Sequence, residues 1–110
     1  MPRVTRQELF ALHREVTTKA YDLMQRKNAD YGGDRDALAN FRADGARGIV
    51  VRLHDKLARL RTASKRDLQV KDESVEDCCI DVANYAVLYL AYHRSRRKPK
   101  STKTTKRSGR

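Results

Sequence analysis

The chain has 110 residues, 39% apolar and 35% charged, with 25 Lys/Arg against 14 Asp/Glu for a net charge of +11. That length suits one domain with a thin core of its own, for which association into a homo-oligomer is expected. No run approaches the ~18 consecutive apolar residues of a membrane span, and Met1-Pro2-Arg3-Val4-Thr5 lacks the apolar core of a signal peptide, so a soluble cytoplasmic protein without a membrane partner is expected.

The charge is unevenly placed. Nine Lys/Arg and no acids lie between Arg94 and Arg110, which leaves 16 basic and 14 acidic residues over 1–93. The expected organisation is a nearly neutral folded domain, residues 1–93, and a disordered basic tail, residues 94–110. The tail has no aromatic residue and no periodicity, so it cannot bury enough surface to order itself. Two readings of it stay open: a solubilising appendage, or nonspecific contact with nucleic acid through phosphate charge.

Thr5-Arg6-Gln7-Glu8 has capping-box spacing, and Leu9, Leu12, Val16, Ala20 and Leu23 follow at helical intervals. This predicts a first helix from about Arg6 to Lys27. Asn28-Ala29-Asp30-Tyr31-Gly32-Gly33-Asp34 reads as its break, because a Gly pair flanked by Asp and Asn is a turn signal. A short, poorly periodic stretch from Asp36 to Ala43 precedes a second break at Asp44-Gly45. A second helix is expected from near Gly48, with Val50, Leu53, Leu57 and Leu60 as its apolar stripe and Arg52, Asp55, Lys56 and Arg59 opposite. Thr62 to Lys71 is polar and reads as a loop. A third helix is expected from Asp72 to about His93. With no strand-like alternation and no repeat, the fold class is all-α: an antiparallel bundle of three main helices plus one short helix. The third helix is apolar on more than one side, which places it at the centre or at a subunit interface.

That third helix is the most informative segment. At about 100° per residue, Glu73, Asp77 and Asn84 fall within roughly 40° of one another, with Asp81 at one edge of the stripe and Glu76 at the other. A carboxylate row bordered by apolar residues is expensive unless something cationic meets it. A divalent metal, a basic helix or a ligand would each serve. Mg²⁺ favours carboxylate oxygens and is commonly held by one or two carboxylates plus substrate phosphates, and Asp77 and Asp81, at i and i+4, can reach one ion, with Glu73 or Glu76 adding an oxygen. The plainer account is that acids at a helix start favour the macrodipole; it covers Glu73 and Glu76 and can extend to Asp77, but not to Asp81 or Asn84. Cys78 and Cys79 have no CxxC partner and no His at ligand spacing, so both are expected as buried small residues.

The charged face of the second helix also has two readings. Lys56, Arg52 and Arg59 are candidates for a phosphate clamp, with Asp55 joining the metal; alternatively the bases pair with the acids of the third helix and neutralise them without any ion. The loop around Gly32-Gly33, followed by Asn40-Phe41-Arg42, allows close backbone approach, and Tyr31 or Phe41 offers a stacking ring. Its spacing matches no P-loop.

Taken together, KNADYGG, then NF, then GIVVRLHDKLARL, then DESVEDCCIDVANYAVL resembles the small phage proteins called nucleotide modification associated domain 1, over roughly residues 20–92. More distantly the chain is similar to the all-α nucleoside triphosphate pyrophosphohydrolases of the MazG and dimeric dUTPase group. The resemblance implies a nucleotide ligand, a MazG-like helical fold, a Mg²⁺-dependent phosphohydrolase acting on a (d)NTP or modified nucleotide, and a host-cytoplasmic location. It implies a metal held by Asp77 and Asp81 with Glu73, Glu76 and Asp55, and catalysis by Asp77, Asp81 and Lys56. Asp30, Tyr31, Asn40, Arg52, Arg59 and Asn84 then become candidate substrate contacts. The MazG pattern pairs ExxE on one helix with ExxD on the next; here Glu73 and Glu76 share a helix with Asp77 and Asp81, and the second helix offers only Asp55. The alternative reading is therefore a noncatalytic nucleotide-binding or sequestering protein, or an accessory subunit of DNA modification.

Overall fold

The computed structural model describes residues 2–65 and 72–97, the side chains of 29–31, 72, 73 and 97 excepted. Helix α1 spans Arg6–Tyr31, a 3-10 turn η1 spans Ala39–Phe41, α2 spans Ala46–Lys65 and α3 spans Asp72–Arg97. No strand occurs among the described residues, and none of their helices is long and apolar enough to cross a membrane. The all-α fold of three main helices and one short one is as the periodicity predicts.

Local chemistry sets the boundaries. The Thr5 hydroxyl accepts from the Glu8 amide at 3.1 Å while the Glu8 carboxylate accepts from the Thr5 amide at 2.9 Å, closing the capping box that starts α1. α1 runs one turn beyond the expected Lys27, because Asn28 to Tyr31 cost a helix only fractions of a kcal/mol each. The stop comes at Gly32, whose amide bonds the Asn28 carbonyl at 2.9 Å. A Cβ on Gly32 would lie 2.2 Å from the Asp36 carbonyl oxygen, so the returning backbone needs a glycine there.

α2 starts two residues before the expected Gly48, directly after Gly45, which adopts φ +63°. It also continues through Thr62–Lys65, where a loop was expected. Thr62 and Ser64 turn their hydroxyls back onto the carbonyls of Ala58 (3.1 Å) and Arg61 (2.7 Å), while Ala63 is buried. α3 likewise extends to Arg97, so the first four residues assigned to the tail are helical. Ser95 supports this last turn by donating to the Tyr92 carbonyl at 2.8 Å and accepting from Arg42 at 3.4 Å. Residues 98–110 of the expected tail and 66–71 of the expected loop lie outside the described residues.

α3 is the middle helix. It packs against α1 on one side and α2 on the other, and η1 links those two outer helices. Gly45 lies against Tyr92 and Lys56 against Asp81, so α2 and α3 are antiparallel. Along α1, Ala20 meets Asn84 and Met24 joins the cluster that holds Leu88, so α1 runs parallel to α3. The core is small: Leu38, Phe41, Ile49 and Leu88, with Met24, Tyr85 and Tyr92 packed around them. It sits at the end where the C-termini of α1 and α3 meet the start of α2. Arg42 pins that end, bonding Asp36 through two 2.9 Å contacts and lying 5.4 Å over the Tyr92 ring. This leaves the N-terminal half of α3, with its acids, flanked by two helices and free of the core.

Candidate functional site

Two grooves run along the N-terminal half of α3, one on each side. The first, of about 320 Å³, lies between α2 and α3 and is lined by Lys56, Arg59, Leu60, Ala63, Ser74, Val75, Asp77, Cys78 and Asp81. The second, of about 500 Å³, lies between α1 and α3 and is lined by Lys19, Asp22, Leu23, Arg26, Lys27, Glu76, Asp77, Ile80 and Asp81. Asp77 and Asp81 belong to both. One helical turn apart, they form the ridge between the grooves, with basic side chains on the far wall of each.

The two acids are held differently. Asp81 accepts an ion pair from Lys56 at 3.0 Å, both side chains being about four-fifths covered. That contact raises the Lys56 ammonium above its ordinary 10.5, chiefly through the hydrogen bond to Asp81 and against the cost of burial. Asp77 is exposed and enters no ion pair among the described residues. Glu76 is bonded to Lys19 at 2.8 Å, and Lys19 also reaches Glu15 at 3.3 Å; both contacts raise the Lys19 ammonium, Glu76 the more.

The other candidates divide by position. Arg59 lines the first groove and lies 3.7 Å from Asp55, an exposed i,i+4 pair of small energetic weight. Asp55 itself lines neither groove, so the described geometry separates it from Asp77 and Asp81. Arg52 stands 5.4 Å over the Phe41 ring at the core end of the molecule. Asn40 sits in η1 at that same end. Asn84 is 5% exposed and donates its amide to the Ala20 carbonyl at 3.0 Å, which ties α3 to α1. The side chains of Asp30, Tyr31 and Glu73 lie outside the described residues. Of the cysteines, Cys78 is buried as expected while Cys79 is exposed, and both are free.

A metal can be tested against this donor set. Among the described residues no group of three or more His, Cys, Asp and Glu side chains is arranged to hold an ion. Two carboxylates on successive turns fit a Mg²⁺ shared with phosphate oxygens and water, and do not make an all-protein cage. On the α1 wall of the second groove, Lys19, Asp22 and Arg26 escaped sequence reasoning as site residues, and Lys27 entered only as the first residue of KNADYGG. Their signal was present, since Lys19, Asp22 and Arg26 recur at three- and four-residue spacing beside the apolar stripe, but such a pattern is also what any solvated helix face shows.

No protein-family model, curated protein or solved structure matches the chain.

Proposed function

We propose that the chain binds a nucleoside phosphate across the paired grooves and acts on it as a Mg²⁺-dependent phosphohydrolase, with a (d)NTP or a modified nucleotide as substrate. The observation that carries this reading is that Asp77 and Asp81 line both grooves, each of which has cations on its opposite wall. Phosphates need the cations, and a metal bridging those phosphates needs the acids. The nucleotide class is taken from the resemblance of the KNADYGG and DESVEDCCID segments to the nucleotide modification associated domain 1 family.

In this reading Lys27 and Arg26 in one groove, and Lys56 and Arg59 in the other, orient and neutralise the phosphates. Asp77 and Asp81 would hold Mg²⁺, which when bound supplies charge neutralisation and a more acidic water. Lys56 fixes the direction of the Asp81 carboxylate through their 3.0 Å contact. Leu23 and Ile80 give the second groove an apolar floor that limits water around the ligand.

One observation favours a second reading, binding without turnover. The Lys56–Asp81 pair already neutralises one of the two carboxylates, so Arg59 in one groove and Arg26 and Lys27 in the other can hold an anionic ligand without a catalytic metal.

The test uses the full chain with a panel of nucleoside mono-, di- and triphosphates, with Mg²⁺ or with EDTA. Thermal shift is read alongside phosphate and pyrophosphate release. A Mg²⁺-dependent stabilisation with product supports hydrolysis, and stabilisation without product supports binding without turnover. No response to any nucleotide overturns both.

A further inference from the structure

α3 is amphipathic in an unusual sense: both of its flanks are used, and a third face is apolar and not covered by any other helix among the described residues. From Val75 to Ala91 its only charged residues are Glu76, Asp77 and Asp81, and Asp77 and Asp81 belong to the ridge between the grooves. On the side away from that ridge, Val75, Cys79, Val82, Ala83, Ala86 and Leu90 fall within about 100° of one another at helical spacing. Leu90 is 45% exposed, the neighbouring Val87 is 59% exposed, and Cys79 and Ala86 are also exposed. Aliphatic residues ring a centre of small side chains, the composition that lets two helices approach closely. An apolar helix face of this length without a covering partner is uncommon on a monomer.

The ends of the same face indicate what covers it. Glu76, whose carboxylate also accepts from Lys19 at 2.8 Å within the chain, borders the face near the start of the helix, and the exposed Arg94 borders it near the end. They are 18 residues apart, about five whole turns, so both lie on the same edge of the face. A two-fold axis perpendicular to α3 near Tyr85 would set Glu76 of one copy beside Arg94 of the other, twice by symmetry. Opposed helix dipoles favour the same antiparallel arrangement. A parallel pairing would instead place like charges together at both ends.

We infer that the uncovered face of α3 seats α3 of a second copy of this chain, antiparallel, about a two-fold axis between Ala83 and Ala86. Asp77 and Asp81 then face away from the contact, which meets the grooves only at Val75 and Glu76 on their rims. The inference stands apart from the nucleotide reading, since Asp77 and Asp81, which carry that reading, lie on the opposite side of the helix.

Native Cys79 supplies the test. In the antiparallel pair Cys79 lies opposite the partner subunit's Leu90 and far from the partner subunit's Cys79; in a parallel pair the two copies of Cys79 would meet. The full chain is compared with its Leu90→Cys variant under mild oxidation, with non-reducing gels and sedimentation equilibrium at micromolar concentration. The expected result is a noncovalent wild-type dimer that does not cross-link, and a Leu90→Cys variant that becomes predominantly a covalent dimer. Ala86→Arg, at a position exposed in the single chain, is expected to sediment as a monomer with its helical circular dichroism retained. A monomeric wild type, a wild-type Cys79 cross-link without gain in Leu90→Cys, or an Ala86→Arg dimer would each overturn the proposal.

Discussion

Lys56 and Asp81 form a 3.0 Å ion pair that joins α2 to α3 at the ridge between two grooves. The pair is well covered, so its value lies between that of an exposed pair and a buried one. Removing only the cation leaves a carboxylate in a partly dehydrated position. Lys56→Met is expected to lower stability by about 1–2 kcal/mol, or roughly 5–10 °C in Tm for a domain of this size. Asp81→Leu combined with Lys56→Met should recover part of that loss. Thermal denaturation of the two single variants and the double variant gives the coupling directly.

The same pair sets an alkaline dependence. The Lys56 ammonium sits above its ordinary 10.5 because it hydrogen-bonds Asp81. A group whose pKa is raised by folding contributes stability that is complete below its unfolded value and disappears as pH rises through the folded one. Wild type should therefore lose more stability than Lys56→Met between about pH 10 and 12. At the acid end the sign reverses: hydrogen bonds from Arg42 and the Leu38 amide hold Asp36 below its ordinary 3.8, and its contribution is lost as pH falls through that lowered value. Urea midpoints across both pH ranges, compared with those of Lys56→Met and Asp36→Asn, check the two limbs.

Asn84 offers a second structural test. Its side-chain amide is buried against the Ala20 carbonyl. Asn84→Ala is expected to cost about 1–3 kcal/mol, through the lost bond and the space left behind. Asn84→Asp should cost more, because a carboxylate cannot donate to that carbonyl unless it protonates. The aspartate variant should consequently gain stability on acidification between pH 7 and 5 relative to wild type. Equal losses for the two variants would contradict this account.

Much of this architecture was legible in the residues. The Thr5–Glu8 capping box, the 3.6-residue stripes and the Gly32 stop are local signals, and the helices they predict are present. The helix ends were less legible. Thr62 and Ser64 look like loop residues until their hydroxyls are seen bonding back to helix carbonyls, and Arg94 and Arg96 look like tail until Ser95 is seen beside Arg42. The candidate site was half visible: the acids of α3 break a core pattern and so stand out, and Lys56 lies near them as anticipated. The cations of α1 were hidden, because a charged residue on an exposed helix face looks the same whether or not another helix lies across from it.

Two glycines make the loop between α1 and α2 sensitive to a single methyl. Gly32→Ala drives a Cβ into the Asp36 and Ala37 backbone, which cannot rotate away. It is expected to cost about 2–3 kcal/mol and to loosen the Leu38 and Phe41 packing. Gly45→Ala combines a left-handed backbone with a Cβ 2.8 Å from the Tyr92 hydroxyl. It should cost about 1–2 kcal/mol, and adding Tyr92→Phe should return part of it, since only the hydroxyl is that close. Denaturation of the three variants separates backbone collision from side-chain collision.

The central claim is that Asp77, exposed on the ridge and outside any described ion pair, engages a phosphate-bound Mg²⁺. Calorimetric titration of a nucleoside triphosphate into wild type and Asp77→Asn, each with Mg²⁺ and with EDTA, tests it most directly. The account predicts at least ~10-fold weaker binding for Asp77→Asn in Mg²⁺, a loss of about 1.4 kcal/mol, and little difference between the two proteins in EDTA. Wild type and Asp77→Asn binding the nucleotide equally in Mg²⁺, or neither binding it at all, would contradict it.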